Sequence, residues 1–543
     1  MVKIPGKYLV PLLVVYLLYA AVFIYQTSFV LNGERYFSLF DDAMVAMRYA
    51  RNLAGGYGLV WNPGGERVEG VTTPLWTAYM AGWHLARLPE SKVSLAIQLS
   101  SAALLALNLV FVWAVSVRLS GKLGLGAAAA ILTAFFYPLN YWALQGMEVG
   151  LLALLVTFAV AAVFRGLENG KVSSSAYIAL ALAVWVRTDA AVLYGAFLSF
   201  LLSRDRPNWR KHLGLGGGLL LGTLLLQTAA RVWYFGDWLP NTYYLKMTGG
   251  PLATRLVAGF KSLVRQVGRT DVFLVLVAFT SPLLRKDNRS LLLTWLIAAQ
   301  SAYSVYVGGD AWELAIIVNR YVAVVAPLFF VLLVDSASLI GRQFILWRRE
   351  RVAGLTAFVA VSLVLFNVYP AWSNKDLRTW LLMRPPYQAR ENAQTVALGL
   401  LIRAITQPDA KVAVTWGGAT PYFADRYCID LLGKSDRRIA RLPMHAFSGG
   451  FRPGHQKWDY HYSFERLQPD VVAHLGYRHP NAFWESDAVP FLARYANLYP
   501  DSSSSWDWHR FPLHVRCGSS AIKWSLLPQL QLVPYPACGK PPA

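Results

Sequence analysis

Two adjacent carboxylates, Asp41 and Asp42, open the segment Phe40-Asp41-Asp42-Ala43-Met44-Val45-Ala46-Met47-Arg48-Tyr49-Ala50-Arg51-Asn52, just past the first hydrophobic stretch of the chain. A carboxylate at a water-accessible membrane edge can act as general base on an acceptor hydroxyl, or can hold a divalent cation such as Mg²⁺ or Ca²⁺. One acid suffices to cap a helix, so a second beside it asks for another role. Arg48 and Arg51 follow on the same predicted helix, which stops at Gly55-Gly56. They either reach to phospholipid headgroups or help to hold a lipid-linked phosphate. Acids and bases gathered at the end of a span are costly to keep there unless something binds or reacts beside them.

Membrane spans are the elements that must position these residues. Of 543 residues, 55% are hydrophobic and 15% charged, and the mean hydropathy is positive. The 20 tryptophans suit a chain that meets the membrane interface repeatedly. The formal charge of +21 sits in short clusters between apolar runs: Lys3 and Lys7; Arg204, Arg206, Arg210 and Lys211; Arg285, Lys286 and Arg289; Arg342, Arg348, Arg349 and Arg351. That is a positive-inside distribution, so membrane lipids rather than nucleic acid are the expected partners.

Apolar stretches of spanning length, roughly 20 residues, fall near 8–27, 72–88, 94–117, 123–144, 147–165, 172–203, 212–235, 271–284, 290–307, 320–341 and 352–370. The 172–203 stretch is over-long and contains Arg187-Thr188-Asp189, so it is one passage or two short helices. The first run has a basic start and no small-residue cleavage site, and is read as a retained span. With the basic clusters cytoplasmic, the opposite face carries Asp41, Asp42, the 236–268 loop, Gly308-Gly309-Asp310 and everything after residue 371.

The expected architecture is therefore a polytopic α-helical membrane domain of about 11 helices over 1–371, with a first extracytoplasmic loop at 28–71, followed by a soluble α/β domain over 372–543. Within the latter, Glu391 to Ile405 has helical periodicity; Lys411 to Trp416, Arg426 to Leu432 and Pro469 to Leu475 have strand character. If this domain is extracytoplasmic, Cys517 and Cys538 can pair as a disulfide and leave Cys428 a buried thiol.

The loop after Asp41-Asp42 runs Asn62-Pro63-Gly64-Gly65-Glu66-Arg67-Val68-Glu69-Gly70-Val71-Thr72-Thr73-Pro74-Leu75-Trp76. Together with the Arg-x-x-Arg-Asn-Leu helix, it resembles the first loop of the GT-C membrane glycosyltransferases, and most of all that of the mycobacterial terminal arabinofuranosyltransferases. Three later segments fit the same resemblance: Gln145-Gly146-Met147-Glu148, the aromatic loop from Tyr234 to Lys246 with Asp237 and Asn241, and Gly308-Gly309-Asp310 with Asn319-Arg320. The Gly433-Lys434-Ser435-Asp436-Arg437-Arg438 and Gly454-His455-Gln456-Lys457 runs look similar to the soluble domain of relatives and have no nucleotide-loop form.

The resemblance implies an inverting transferase of the bacterial plasma membrane with its site on the outer face, where nucleotide sugars are scarce. It would move a sugar, arabinofuranose by subfamily, from a polyprenyl-phosphate donor to a hydroxyl of a cell-envelope glycan, lipid or protein. Asp41 or Asp42 would be the base and the other would orient the acceptor or a metal. Lys246 and Arg320, then Arg48, would hold the donor phosphate, with Glu148, Asp237, Asp310, Asn241 and Glu69 as further donor or acceptor contacts. Transfer of a hexose or aminosugar, and transport of a lipid-linked sugar without transfer, are the competing readings.

Overall fold

A computed structural model describes residues 6–269, 271–313, 318–344, 348–368, 376–446, 450–475, 487–500, 512–535 and 538. The domain boundary expected at 371/372 lies outside these residues. The N-terminal part is helical: α1 (Gly6–Thr27), a β1–β2 hairpin (Phe29–Leu31, Glu34–Tyr36), α2 (Asp41–Ala54), α3 (Pro74–Leu85), α4 (Val93–Ser120), α5 (Leu123–Ala134), α6 (Tyr137–Leu144), α7 (Val149–Glu168), α8 (Ser174–Val186), α9 (Ala191–Arg204), α10 (Gly218–Phe235), α11 (Asn241–Met247), α12 (Leu252–Arg269), α13 (Asn288–Tyr306), α14 (Arg320–Ala323), α15 (Ala326–Phe344) and α16 (Arg348–Asn367).

Among the described residues six helical stretches are long and apolar enough to cross a membrane, or up to eight if each of two bent pairs is one span. This is fewer than the eleven apolar runs of the sequence, because several of those runs are divided. The 172–203 run is split into α8 and α9, with Arg187-Thr188-Asp189 at the break. Those polar side chains turn inward: Arg187 bonds Glu148 at 2.6 Å and Asp189 at 2.8 Å. The 123–144 run is bent by 56° between α5 and α6.

The core of the bundle is α4, 28 residues and so about 42 Å long, packed against α5 and α7. Its two ends differ. Arg187, Arg320 and the start of α2 gather at one end, beside the C-terminal part. Arg204 ends the 14-residue α9, about 20 Å further along the bundle, and Arg342 lies in the last turn of α15. Arg204 and Arg342 are thus remote from the end that carries the paired acids.

The C-terminal part is α/β. Helix α17 (Ala389–Ile405) packs on α18 (Ala419–Ala424), and six strands form one sheet: β3 (Lys411–Val414), β4 (Tyr427–Asp430), β5 (Val471–Ala473), β6 (Tyr495–Pro500), β7 (Leu513–Arg516) and β8 (Leu532–Tyr535). Their order is β4-β3-β5-β7-β6-β8. The first three are parallel and the others antiparallel. Val412, Val414, Val471 and Ala473 are fully buried with Val396 and Ile402 of α17. Cys517 and Cys538 are joined in a disulfide, and Cys428 is a buried free thiol. The antiparallel half has no counterpart among the strands expected from sequence.

Helix α2 is the wedge between the two parts. At 100° per residue, positions 41 and 48 share one face, and 42, 46 and 49 a neighbouring one. The first face meets the C-terminal part: Asp41 Oδ1 accepts the N–H groups of Gly418 (3.1 Å) and Ala419 (3.2 Å), while Arg48 donates to the carbonyls of Pro421 and Arg426. A Cβ on Gly418 would stand 2.1 Å from the Asp41 carbonyl oxygen, so only glycine permits this approach. The second face turns to the first loop, where Tyr49 Oη donates to the Val68 carbonyl at 2.8 Å.

Candidate active site

A cavity of about 300 Å³ lies where the acid-bearing end of the bundle meets the sheet. From the membrane part it is lined by Asp41, Asp42, Lys246, Asp310, Trp312 and Arg320. The C-terminal part contributes Trp416 just after β3, Asp430 and Lys434 at and after the end of β4, and His474 just after β5. All four stand at the carboxyl ends of the three parallel strands, where backbone loops diverge and α/β sheets commonly form ligand clefts. A smaller chamber of about 50 Å³ adjoins it, with Thr72, Thr73, Trp76, Glu148 and Arg187 in its wall. Asp42, Lys246, Arg320 and Lys434 line both.

The two aspartates, alike in sequence, are unlike in surroundings. Phe40 is the N-cap of α2 and makes no side-chain cap, so neither aspartate is spent on capping. Asp42 is gripped by cations: Arg320 Nη1 bonds its Oδ2 at 2.8 Å and the Lys434 ammonium bonds its Oδ1. Burial alone would push its carboxyl up, but Lys434, Arg320 and Lys246 together hold it well below the usual carboxylate range. For Asp41 burial wins. It raises the carboxyl to about 6, with Lys434 and two backbone N–H bonds opposing and the Asp42 charge adding. One carboxylate is a fixed anion and its neighbour is poised to exchange a proton near neutrality.

Lys246 and Arg320 sit beside that pair. Arg320 Nε is 2.9 Å from Asp310 Oδ2, so Arg320 bridges two acids. Among the described residues Lys246 makes no ion pair; burial and the Arg320 charge bring its ammonium down to about 8. Aromatic rings from both parts line the cavity as well. Trp312 meets Trp416 edge-on at 5.9 Å and His455 at 6.4 Å, and Trp416 lies 5.9 Å from His474. Burial, aided at His455 by Arg452, lowers both imidazoles to about 3, so they are neutral rings.

Of the residues singled out from sequence, Asp41, Asp42, Lys246, Asp310 and Arg320 line the main cavity and Glu148 the smaller chamber. The others have different partners. Arg48 is fully buried among carbonyls and Asn62, with Nε donating to Trp61 at 2.6 Å, because position 48 lies on the face of α2 that meets the C-terminal part. Glu69 is buried against Arg231 at 2.5 Å, and Asp237 pairs with Arg441 at 2.7 Å. Asn241 Nδ2 donates to the carbonyls of Gly433, Lys434 and Asp436. These four lie outside both chambers and join parts of the chain. Lys434, Arg187, Trp312, Trp416 and His474 were not anticipated at the site. The traces of Lys434 were its turn-rich Gly433-Lys434-Ser435-Asp436 setting and the likeness of that run to the soluble domain of relatives.

Both Asp42 oxygens are matched by cations, and among the described residues no three His, Cys, Asp or Glu side chains converge as a ligand set.

A family model described as a domain of unknown function (DUF8728) matches residues 383–516, the C-terminal α/β part. Over 226 residues the chain is 30% identical to a terminal β-(1→2)-arabinofuranosyltransferase of Mycobacterium tuberculosis, covering 39% of this chain and 35% of that protein. The Corynebacterium glutamicum protein of the same name is 28% identical over 236 residues, 38% of this chain and 32% of that one. The match thus spans about a third of the length of these curated relatives.

In three dimensions the chain is similar to ArnT from Cupriavidus metallidurans bound to undecaprenyl phosphate, with a TM-score of 0.55, 14% identity, and coverage of 94% of this chain and 98% of that one. It is also similar to the Archaeoglobus fulgidus oligosaccharyltransferase in complex with zinc and sulfate, with a TM-score of 0.54, 12% identity, and 95% and 76% coverage. By these likenesses the chain has the GT-C membrane fold and is similar in sequence to the terminal arabinofuranosyltransferases.

Proposed function

We propose that the protein is an inverting glycosyltransferase that takes a sugar, arabinofuranose by likeness to its relatives, from a polyprenyl-phosphate donor and passes it to a hydroxyl of a cell-envelope glycan. The observation that carries this reading is the asymmetry of Asp41 and Asp42 beside Lys246 and Arg320. Asp41 removes the acceptor proton as the oxygen attacks the anomeric carbon. The bond from that carbon to the phosphate oxygen breaks, and its electron pair leaves with the phosphate. One negative charge is lost at Asp41 and one is gained at the phosphate, where Lys246 and Arg320 stand. Asp42 keeps Arg320 in place and stays ionised.

A single displacement inverts the anomeric configuration. The cations around Asp42 serve as its counterions. The apposed rings of Trp312 and Trp416 offer flat apolar faces for a sugar acceptor, which favours a glycan over a lipid chain or peptide. The positive-inside pattern supports an orientation with this cavity and the C-terminal part on the outer face of the plasma membrane.

Purified full-length protein in lipid nanodiscs, given polyprenyl-phosphate arabinofuranose and an arabinan oligosaccharide, tests the reading. A lengthened, anomer-inverted oligosaccharide is expected. Transfer of a hexose or aminosugar instead would change the sugar, and movement of the donor across a vesicle bilayer without product would identify a transporter and overturn the transferase.

A further inference from the structure

The membrane part accounts for two of the three cations that border both chambers, and the third comes from far along the chain. Lys434 follows β4 in a turn that is unusually well fixed. The Asp430 carboxylate accepts N–H groups from Leu432 (3.0 Å), Gly433 (3.1 Å) and Ser435 (2.6 Å), and Gly433 takes the left-handed φ of 82° that the turn requires. The membrane part holds the same turn from outside. Asn241 Nδ2 lies 3.0 Å from the Gly433 and Lys434 carbonyls, and Tyr49 Oη lies 3.3 Å from Ser435 Oγ. Gly70 passes so near that a Cβ there would come within 2.7 Å of Ser435 Oγ and 3.0 Å of the Lys434 carbonyl. Such a turn fixes where its lysine starts, and the side chain ends on Asp42, at the junction of the two chambers.

We infer that Lys434 is a third ligand of the donor phosphate, a cation that the C-terminal domain contributes to the membrane-side pair, so that donor binding requires that domain to be docked. The inference rests on the reading of the site as a lipid-phosphate-dependent transferase. Three features carry it beyond a mere counterion for Asp42. Arg320 also bonds Asp42 from the other side, so the carboxylate keeps a charged hydrogen-bond partner without Lys434. The lysine borders both chambers, as Lys246 and Arg320 do, whereas Arg187, tied to Glu148 and Asp189, borders only the smaller of the two. Its ammonium is a compact charge on a flexible stem, able to swing from a carboxylate oxygen to a phosphate oxygen close by. As the glycosidic bond breaks and the phosphate gains its second charge, a cation shared between Asp42 and the phosphate shifts toward the latter.

The test is equilibrium binding of undecaprenyl phosphate to the full-length protein in nanodiscs, with thermal unfolding followed in parallel. Lys434→Met should weaken binding about tenfold or more, the scale of a lost charge-assisted hydrogen bond, with the unfolding midpoint unchanged, and Lys434→Arg should stay within about threefold of wild type. If Lys434→Met loses its unfolding transition, Lys434→Gln, of similar reach and polar at its end, takes its place. Wild-type affinity in the neutral variant, alongside weakened binding in Lys246→Met, would reduce Lys434 to a counterion of Asp42 and overturn the inference alone. Equal losses in the Arg and neutral variants would overturn it too, since the charge would then not be what matters. A wild-type protein that binds no undecaprenyl phosphate would overturn the donor reading, and this inference with it.

Discussion

The two walls of the main cavity are built on different principles. The membrane wall is charged and is set on helix ends: Asp41 and Asp42 start α2, Lys246 lies in α11, and Arg320 starts α14. The opposite wall is set mostly on loops beyond the parallel strands and mixes the flat rings of Trp416, His455 and His474 with Asp430, Lys434 and Arg452. On the proposed reading, the contrast matches two needs of glycosyl transfer from a lipid. A lipid-borne phosphate arrives along the membrane part and needs charge; a sugar acceptor arrives from water and needs flat faces with a base at their edge. The walls meet at Asp41, whose Oδ1 is held by Gly418 and Ala419 of the far wall.

This division of labour can be broken one wall at a time. The largest effect should come from the residue where the walls meet. Asp41→Asn keeps an oxygen for the Gly418 and Ala419 N–H groups, so folding should persist while kcat falls by about 10² to 10⁴, the range of a general base; a radiolabel transfer assay at saturating donor reads it. Next is the charged wall. Lys246→Met should raise the donor KM by about ten- to a hundredfold, as expected for losing a hydrogen-bonded charge, with the acceptor KM nearly constant; a rise in both would blur the two walls into one.

The pH profile should show both ends of that wall. Asp41 must be ionised to take a proton and Lys246 must be protonated to hold a phosphate. Accordingly kcat/KM should climb as pH rises through about 6 and fall again above about 8. Lys246→Arg should move only the descending limb, to higher pH. The smallest effect belongs to the aromatic rings of the opposite wall. Trp416→Ala should raise the acceptor KM by about three- to tenfold, the scale of a lost aromatic face, and leave undecaprenyl phosphate binding unchanged.

The charged wall was the part most legible in the sequence. Adjacent acids exceed what a helix cap needs, and a lysine and an arginine flanked by glycines and aromatics at span ends stand out against an apolar background. The neighbouring strands β3, β4 and β5 were visible too, as short β-branched runs. What escaped notice depends on distance along the chain. Lys434 reaches Asp42 across 392 positions, and no local pattern reveals such a pairing. Arg48 shows the reverse error: its type and its nearness to the acids suggested a phosphate ligand, but helical phase turns it toward the carbonyls of Pro421 and Arg426. Strands β6, β7 and β8 were missed because their pairing, β7 on β5, β6 on β7 and β8 on β6, is set by the tertiary sheet more than by local alternation.

The disulfide between Cys517 and Cys538 spans 21 positions and ties the end of β7 to the segment beyond the edge strand β8. Closing a loop of that size removes about 3 kcal/mol of freedom from the unfolded chain, enough to keep an edge strand paired. Because such bonds persist chiefly in oxidising compartments, the state of this one in cells tests the proposed orientation of the chain. In protein taken directly from cells and alkylated at once, oxidised Cys517 and Cys538 beside an unreacted Cys428 would mark the domain as having crossed the membrane before it closed over Asp41.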